Sequence, residues 1–60
     1  MNVFDQAKEE IAEMLDLAVW IAGYDAAVMA GKEPKPEIRQ IRKDRDVRYW
    51  RLREKYLGDG

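Results

Sequence analysis

Four carboxylates recur near the start of the chain at the spacing of one helix face, at Asp5, Glu9, Glu13 and Asp16. Two such clusters on facing helices can hold Mg²⁺, which needs oxygen ligands in octahedral geometry. The acidic residues within 36–57 do not repeat this spacing; they are Glu37, Asp44, Asp46 and Glu54. We therefore expect a solvated acidic face, with no metal site and no cofactor.

The chain also lacks the side chains of the common nucleophilic mechanisms. It contains no Cys, His, Ser or Thr, which excludes Ser-His, Cys-His and N-terminal Thr catalysis. Its four glycines are scattered, so no glycine-rich phosphate loop is present. The sequence predicts a protein that is not an enzyme.

Residues 38–56 are rich in arginine and include Tyr49 and Trp50, a combination that suits stacking on nucleic-acid bases. Acidic residues are interleaved with the arginines, and Arg42 and Asp46 have the i,i+4 spacing of a helix-stabilising pair. The net charge of −1 and the acidic first half of the chain disfavour binding to phosphates. Nucleic-acid binding is therefore the alternative function, and a salt-bridged helix face is the favoured interpretation.

Two helices and one break account for the whole chain. Apolar residues recur at helical spacing up to Gly31, which suits a helix C-terminus, and Pro34 and Pro36 interrupt the pattern. Asn2 is the predicted N-cap of the first helix. The fold class is all-α, a two-helix antiparallel hairpin. The predicted elements of this single domain, residues 1–60, are helix 1 at about 2–30, a linker at 31–35 and helix 2 at about 36–57.

The first helix carries two apolar stripes. The first stripe consists of Phe4, Ala7, Ile11, Leu15, Ala18, Ala22 and Met29. The second stripe consists of Leu17, Trp20, Tyr24 and Val28. In an antiparallel hairpin the first stripe opposes Ile38, Ile41, Tyr49, Leu52 and Tyr56 of the second helix. Large side chains then face small ones, as close packing requires. The second stripe is left exposed, and Gly23 is expected to allow the close approach of another helix.

One charge, Asp25, lies inside the most apolar segment of the chain, residues 17–31. An unpaired carboxylate in a core would cost several kcal/mol, so we expect a cationic partner. Arg42 and Arg45 are the nearest candidates across the predicted helix interface, and Arg45 is slightly preferred. This structural ion pair would fix the register of the helices. The alternative is that Asp25 points to solvent at a helix edge.

Exposed apolar faces predict association with another chain. Sixty residues without disulfides or a metal bury too little surface for a stable monomer, and a homodimer would complete a four-helix bundle. The predicted oligomer interface is Leu17, Trp20 and Val28. Trp, Tyr and Arg dominate the energetics of protein interfaces. Contacts to a different protein are therefore predicted at Trp20, Tyr24, Arg48, Trp50 and Arg51.

The predicted architecture resembles small phage, plasmid or bacterial regulators that are built as dimers of helical hairpins, without a shared motif. The predicted function is a non-enzymatic protein–protein interaction module: an adaptor, an assembly factor or an inhibitor. Five of the six charged residues ahead of Leu17 are acidic, whereas a secretory signal begins with basic residues. The apolar run that follows is interrupted by Gly23 and Asp25 and is too short to span a bilayer. We therefore expect a cytoplasmic protein with no membrane partner.

Overall fold

The computed structural model describes residues 3–58 and contains two helices in that range. Helix α1 spans Val3–Met29 and helix α2 spans Pro36–Leu57. Asn2, the predicted N-cap of the first helix, lies outside the described residues. Neither α1 nor α2 is long and apolar enough to cross a membrane.

The two helices pack against each other in opposite directions. Lys55 near the end of α2 pairs with Glu10 near the start of α1, and Arg42 near the start of α2 pairs with Asp25 near the end of α1. The prediction of an all-α helical hairpin is confirmed.

A glycine ends α1. Gly31 has a φ of 93°, a left-handed conformation that glycine adopts at no steric cost. The Gly31 N–H donates to the Val28 carbonyl at 3.0 Å, and the Lys32 N–H donates to the Ala27 carbonyl at 3.1 Å. This pair of hydrogen bonds is the Schellman motif, which satisfies carbonyl groups that a helix end would otherwise leave without partners.

A proline begins α2. Pro36 lies in the first turn, where its missing N–H removes no hydrogen bond and its fixed φ suits the helix. Lys35 precedes it in an extended conformation. The Lys35 carbonyl accepts hydrogen bonds from the N–H groups of Ile38 and Arg39, both at 3.0 Å. The break in the chain is thus fixed at both helix ends by backbone geometry.

The core of the hairpin is small. In the part of the chain that the structure describes, the buried apolar side chains are Met14, Leu17 and Leu52, and Leu52 is 2% exposed. Tyr49 and Tyr56 pack against them from α2. Only one layer of side chains therefore separates the two helices.

The stripe of α1 that packs against α2 is not the predicted one. Leu17 of the second stripe is 8% exposed and lies in the core, whereas Leu15 of the first stripe is 60% exposed. Met29, also of the first stripe, is 89% exposed. The expectation that the first stripe forms the helix interface is wrong, and the first stripe faces solvent.

Charge complementarity explains why α2 selects the second stripe. Glu13 Oε2 lies 2.7 Å from Arg48 Nε, and Glu10 Oε1 lies 2.9 Å from Lys55 Nζ. Glu13 is one helical turn before Leu17 and therefore lies on the same side of α1. Rotating α1 to present the first stripe to α2 would separate both acids from their cationic partners.

The hairpin is long and thin. Its dimensions are 43 × 25 × 16 Å and its radius of gyration is 13.7 Å, whereas a compact domain of this length has a radius of gyration of about 10 Å. The two helices lie side by side, without a further layer to cover their outer faces. The architecture therefore leaves much of the surface of both helices open.

Candidate interaction surface

Asp25 forms an ion pair with Arg42 at the rim of the helix interface. Arg42 Nε donates to Asp25 Oδ1 at 3.2 Å and Arg42 Nη2 donates to Oδ2 at 3.3 Å, which is the bidentate geometry of strong arginine–carboxylate pairs. Arg42 Nη1 also lies 3.3 Å from Asp46 Oδ1. These hydrogen bonds, above all those to Asp25, raise the pKa of Arg42. The Asp25 side chain stays 54% exposed, so it is both paired and at a helix edge.

Arg45, the partner preferred from the sequence, does not pair with Asp25. Its guanidinium lies over the ring of Trp20, with Cζ 4.6 Å from the ring centroid. Trp20 stacks in turn on Tyr24, with the ring centroids 5.8 Å apart. The preference for Arg45 is wrong because α2 packs on the second stripe, which places Trp20 beneath Arg45.

Two further ion pairs join the helices. Arg48 Nε and Nη2 donate to the two carboxylate oxygens of Glu13 at 2.7 and 3.0 Å, and Lys55 Nζ lies 2.9 and 3.0 Å from those of Glu10. The hydrogen bonds from Arg48 and Lys55 hold the pKa values of Glu13 and Glu10 below their ordinary value of 4.5. The same contacts raise the pKa values of Arg48 and Lys55. Arg48, predicted to contact another protein, is thus held within the chain.

Trp20 and Tyr24 line an open groove near the turn, with a volume of about 440 Å³. The other apolar side chains that line it are Ala27, Val28, Pro34 and Ile38. Two of the predicted oligomer-interface residues, Trp20 and Val28, therefore lie on one groove. Leu17, the third of them, is covered by α2 and is not accessible to another chain.

Trp50 lies on a different groove. Trp50 is 54% exposed. Its ring meets the ring of Tyr49 edge-on at 5.6 Å and lies beneath the Arg53 guanidinium, whose Cζ is 5.1 Å from the ring centroid. Ala18 and Ala22 of the first stripe line this groove together with Trp50. The exposed tryptophan and the exposed stripe of α1 are therefore neighbours on one side of the hairpin.

The five residues predicted to contact another protein do not form one patch. Trp20 and Tyr24 line the groove near the turn, Trp50 lines the groove beside the first stripe, and Arg48 is ion-paired. Arg51 is exposed, and its side chain forms no ion pair or hydrogen bond within the described part of the chain. Their role in binding another protein stays a prediction.

The first stripe is an exposed apolar surface that runs the length of α1. Phe4 is 78% exposed, Ile11 40% and Leu15 60%, and Ala22 is exposed between Leu15 and Met29. The sequence analysis identified these residues but placed them in the core. The acids Glu10 and Glu13 precede the second stripe on the same side of α1 and pair with cations of α2. They are the sequence signal that could have assigned the first stripe to the surface.

The acidic series of α1 divides between solvent and the helix interface. Asp5, Glu9 and Asp16 of the acidic series are exposed, while Glu13 is engaged by Arg48. Residues 3–58 contain no group of three or more Asp, Glu, His or Cys side chains that could hold a metal ion. Exposed apolar surfaces such as the first stripe bind other macromolecules through burial of apolar area.

The chain was compared with protein-family models, with curated proteins and with solved structures, and none of them matches it.

Proposed function

We propose that this chain is a small non-enzymatic protein–protein interaction module of the cytoplasm, and that its first partner is a second copy of itself. The observation that carries the proposal is the exposed first stripe of α1, with Leu15 60% and Met29 89% exposed. Soluble monomers seldom expose a continuous apolar face of this length, and those that do use it for binding. As an adaptor, assembly factor or inhibitor, the dimer would act by occupying a surface on another protein.

The accessible area of the chain supports a second copy as the occupant of the first stripe. The chain exposes 5146 Å², whereas a compact monomer of its mass, 7.1 kDa, exposes about 4,100 Å². The excess of about 1,000 Å² is of the order of the 800 Å² or so that each partner buries in a standard interface. Two hairpins joined along this face make a four-helix bundle with a second layer of packing.

The groove that Trp20, Tyr24 and Val28 line near the turn stays open in such a dimer. It combines aromatic rings with the nearby cation Arg45, which lies over Trp20. Interfaces draw most of their affinity from residues of these types. We therefore propose this groove as the surface for a different protein.

Nucleic-acid binding receives less support from the same contacts. Arg42 and Arg48 are neutralised by carboxylates, and Arg45 and Arg53 lie over tryptophan rings. Phosphate binding requires cations that are available at the surface in a contiguous array. Three of the six arginines of α2 instead contact α1; they are Arg42, Arg45 and Arg48.

Light scattering of the purified chain and two matched variants tests the proposal. We expect the wild-type chain to be a dimer and Leu15→Glu, which places a carboxylate in the first stripe, to be monomeric. Val47→Glu introduces the same charge at a valine of α2 that is 52% exposed and lies outside the stripe and both grooves, so it should remain dimeric. A folded wild-type monomer, or a dimer unaffected by Leu15→Glu, would contradict the proposal.

A further inference from the structure

All residues of the first stripe of α1 except Ala7 belong to a longer pattern with the period of a coiled coil. Positions along one face of α1 alternate in steps of four and three residues, and the residues at these positions are Phe4, Lys8, Ile11, Leu15, Ala18, Ala22, Asp25 and Met29. A period of 3.5 residues is the spacing at which one helix packs along another. We call this set the seam. Two of its members, Lys8 and Asp25, are charged.

We propose, resting on the proposed self-association, that two copies pack α1 against α1 in antiparallel orientation in a single register. In this register Leu15 of one copy lies opposite Ala18 of the other, and Ile11 lies opposite Ala22. The outer layers bring Phe4 against Met29 of the other copy. The two-fold axis passes between Leu15 and Ala18, close to the middle of α1, so the two helices overlap along their whole length.

The sizes of the seam residues fit this register. The N-terminal half of the seam carries the large side chains Ile11 and Leu15, and the C-terminal half carries the small ones Ala18 and Ala22. Antiparallel packing places each of these large side chains against a small one, so the four central layers have similar volumes and the helices stay at a constant distance there. In a parallel pair each residue would face its own copy, which crowds one half of the seam and leaves voids in the other.

The charges of the seam fit the same register. The antiparallel layers place Lys8 of each copy opposite Asp25 of the other, so the two charged residues of the seam neutralise each other twice in the dimer. A parallel pair would instead oppose Lys8 to Lys8 and Asp25 to Asp25, with repulsion in both layers. A polar residue at one position of a coiled-coil seam is a known device for fixing register and orientation.

Both side chains are accessible for this contact. The Asp25 side chain is 54% exposed while it accepts two hydrogen bonds from Arg42, and an ionised carboxylate has about four acceptor sites. Lys8 is exposed, and no residue within 3–58 forms an ion pair with it. Lys8 of the other copy can therefore join Asp25 and Arg42 without displacing the pair that already exists.

Trp50 extends the contact beyond α1. Its ring lines a groove with Ala18 and Ala22, which are the small residues that receive Leu15 and Ile11 of the other copy. The ring therefore forms one wall of the cleft into which those side chains insert.

Disulfide trapping distinguishes the two orientations, because the chain contains no cysteine of its own. Ile11→Cys and Ala22→Cys are prepared separately, mixed in equal amounts and oxidised, and the products are separated by mass. We expect the mixed disulfide between the two variants to dominate. Each variant oxidised alone should give little covalent dimer, because two copies of either position lie about 16 Å apart along the antiparallel helices, beyond the reach of a disulfide.

The outcomes separate this inference from the proposed function. Efficient disulfides between identical variants, with few mixed ones, would mean a parallel dimer, which overturns the register and leaves self-association intact. Absence of every disulfide, together with a monomer in light scattering, would overturn both proposals.

A charge reversal tests the Lys8–Asp25 layer on its own. Lys8→Glu places a carboxylate opposite Asp25 of the other copy, twice per dimer. Because like charges repel, we expect the dimer dissociation constant to rise roughly tenfold or more. Lys35→Glu makes the same change in the turn and should leave the dissociation constant unchanged. Equal dissociation constants for Lys8→Glu and the wild-type chain would overturn the proposed layer.

Discussion

Single residues in this protein differ widely in what they contribute to stability, and burial explains the difference. Leu52 is 2% exposed, and truncating a leucine buried to this degree typically costs about 2–5 kcal/mol. The Asp25–Arg42 pair lies at the rim, with the Asp25 side chain 54% exposed, and exposed ion pairs contribute about 0–1 kcal/mol. The carboxylate in the most apolar segment is therefore tolerated because water still reaches it.

The ion pairs of Glu10 and Glu13 make stability depend on pH at the acidic end of the scale. Their hydrogen bonds to Lys55 and Arg48 lower both pKa values in the folded state. The contribution to the free energy of unfolding is fully present above the ordinary carboxyl pKa of 4.5 and is lost as the pH falls through the lowered values. We expect the urea midpoint to be nearly constant from neutral pH to about pH 5 and to fall below that.

Two variants test whether the ion pairs of Glu10 and Glu13 cause the loss of stability at acidic pH. Glu10→Gln combined with Glu13→Gln should lower the urea midpoint at neutral pH and flatten its decrease in acid. Glu9→Gln changes an exposed neighbour that has no ion pair with α2 in the described structure, and should retain the wild-type profile. An acid decrease of the same size in the double variant would show that other carboxyl groups cause it.

At the scale of the helices, replacing Gly23 of α1 and Gly31 of the turn with alanine should have opposite effects on stability. Gly31 has a φ of 93°, so Gly31→Ala forces a side chain into the left-handed region and should reduce stability by about 1 kcal/mol. Gly23 is helical, and a Cβ added there would meet nothing within 4 Å. Gly23→Ala should therefore raise stability by about 0.5–1 kcal/mol. Thermal and urea denaturation of both variants measure the two effects.

The result for Gly23 also tests how it was interpreted. The sequence suggests that this glycine allows the close approach of another helix, whereas the space beside it is open in the hairpin. A loss of stability in Gly23→Ala would mean that a neighbouring chain occupies this space.

The ends of the helices could be predicted because single residues determine them. Gly31 supports the left-handed turn of the Schellman motif, and Pro36 is pre-organised for the first turn of α2. Both effects are local to the backbone, so they are visible in the sequence without knowledge of the packing. The hairpin follows from them, since two long helices joined by a short turn pack side by side.

The face of α1 that enters the core could not be predicted from apolar periodicity. Both stripes of α1 have helical spacing, and both consist of apolar or aromatic side chains, with Ile11 and Leu15 in the first and Leu17 in the second. The hydrophobic effect is proportional to area and does not distinguish two faces of similar area. The choice depends on Glu10 and Glu13 meeting their cations, which is a property of both helices together.

At the scale of the whole molecule, folding and association should be linked. The buried core of residues 3–58 contains only Met14, Leu17 and Leu52, which is little for a domain of 60 residues. If a second copy supplies the missing layer, each tenfold increase in protein concentration should raise the thermal midpoint by roughly 5 °C. Circular dichroism melts over a range of concentrations measure this slope.

The Leu15→Glu variant is the reference for that measurement. Its melting midpoint should be lower than that of the wild-type chain and independent of concentration, because the charge prevents the stripe from being covered. A wild-type midpoint that does not change with concentration would indicate that the hairpin is stable as a monomer.

The two apolar stripes of α1 also give a newly synthesised chain a choice of where α2 docks. Docking on the wrong stripe would also bury apolar side chains, so hydrophobic collapse alone does not fully specify the native hairpin. The carboxylates of Glu10 and Glu13 break this degeneracy, because only native docking brings them to Arg48 and Lys55. Surface charges that contribute little to the free energy of unfolding thus increase the free-energy difference between the native hairpin and the nearest competing fold.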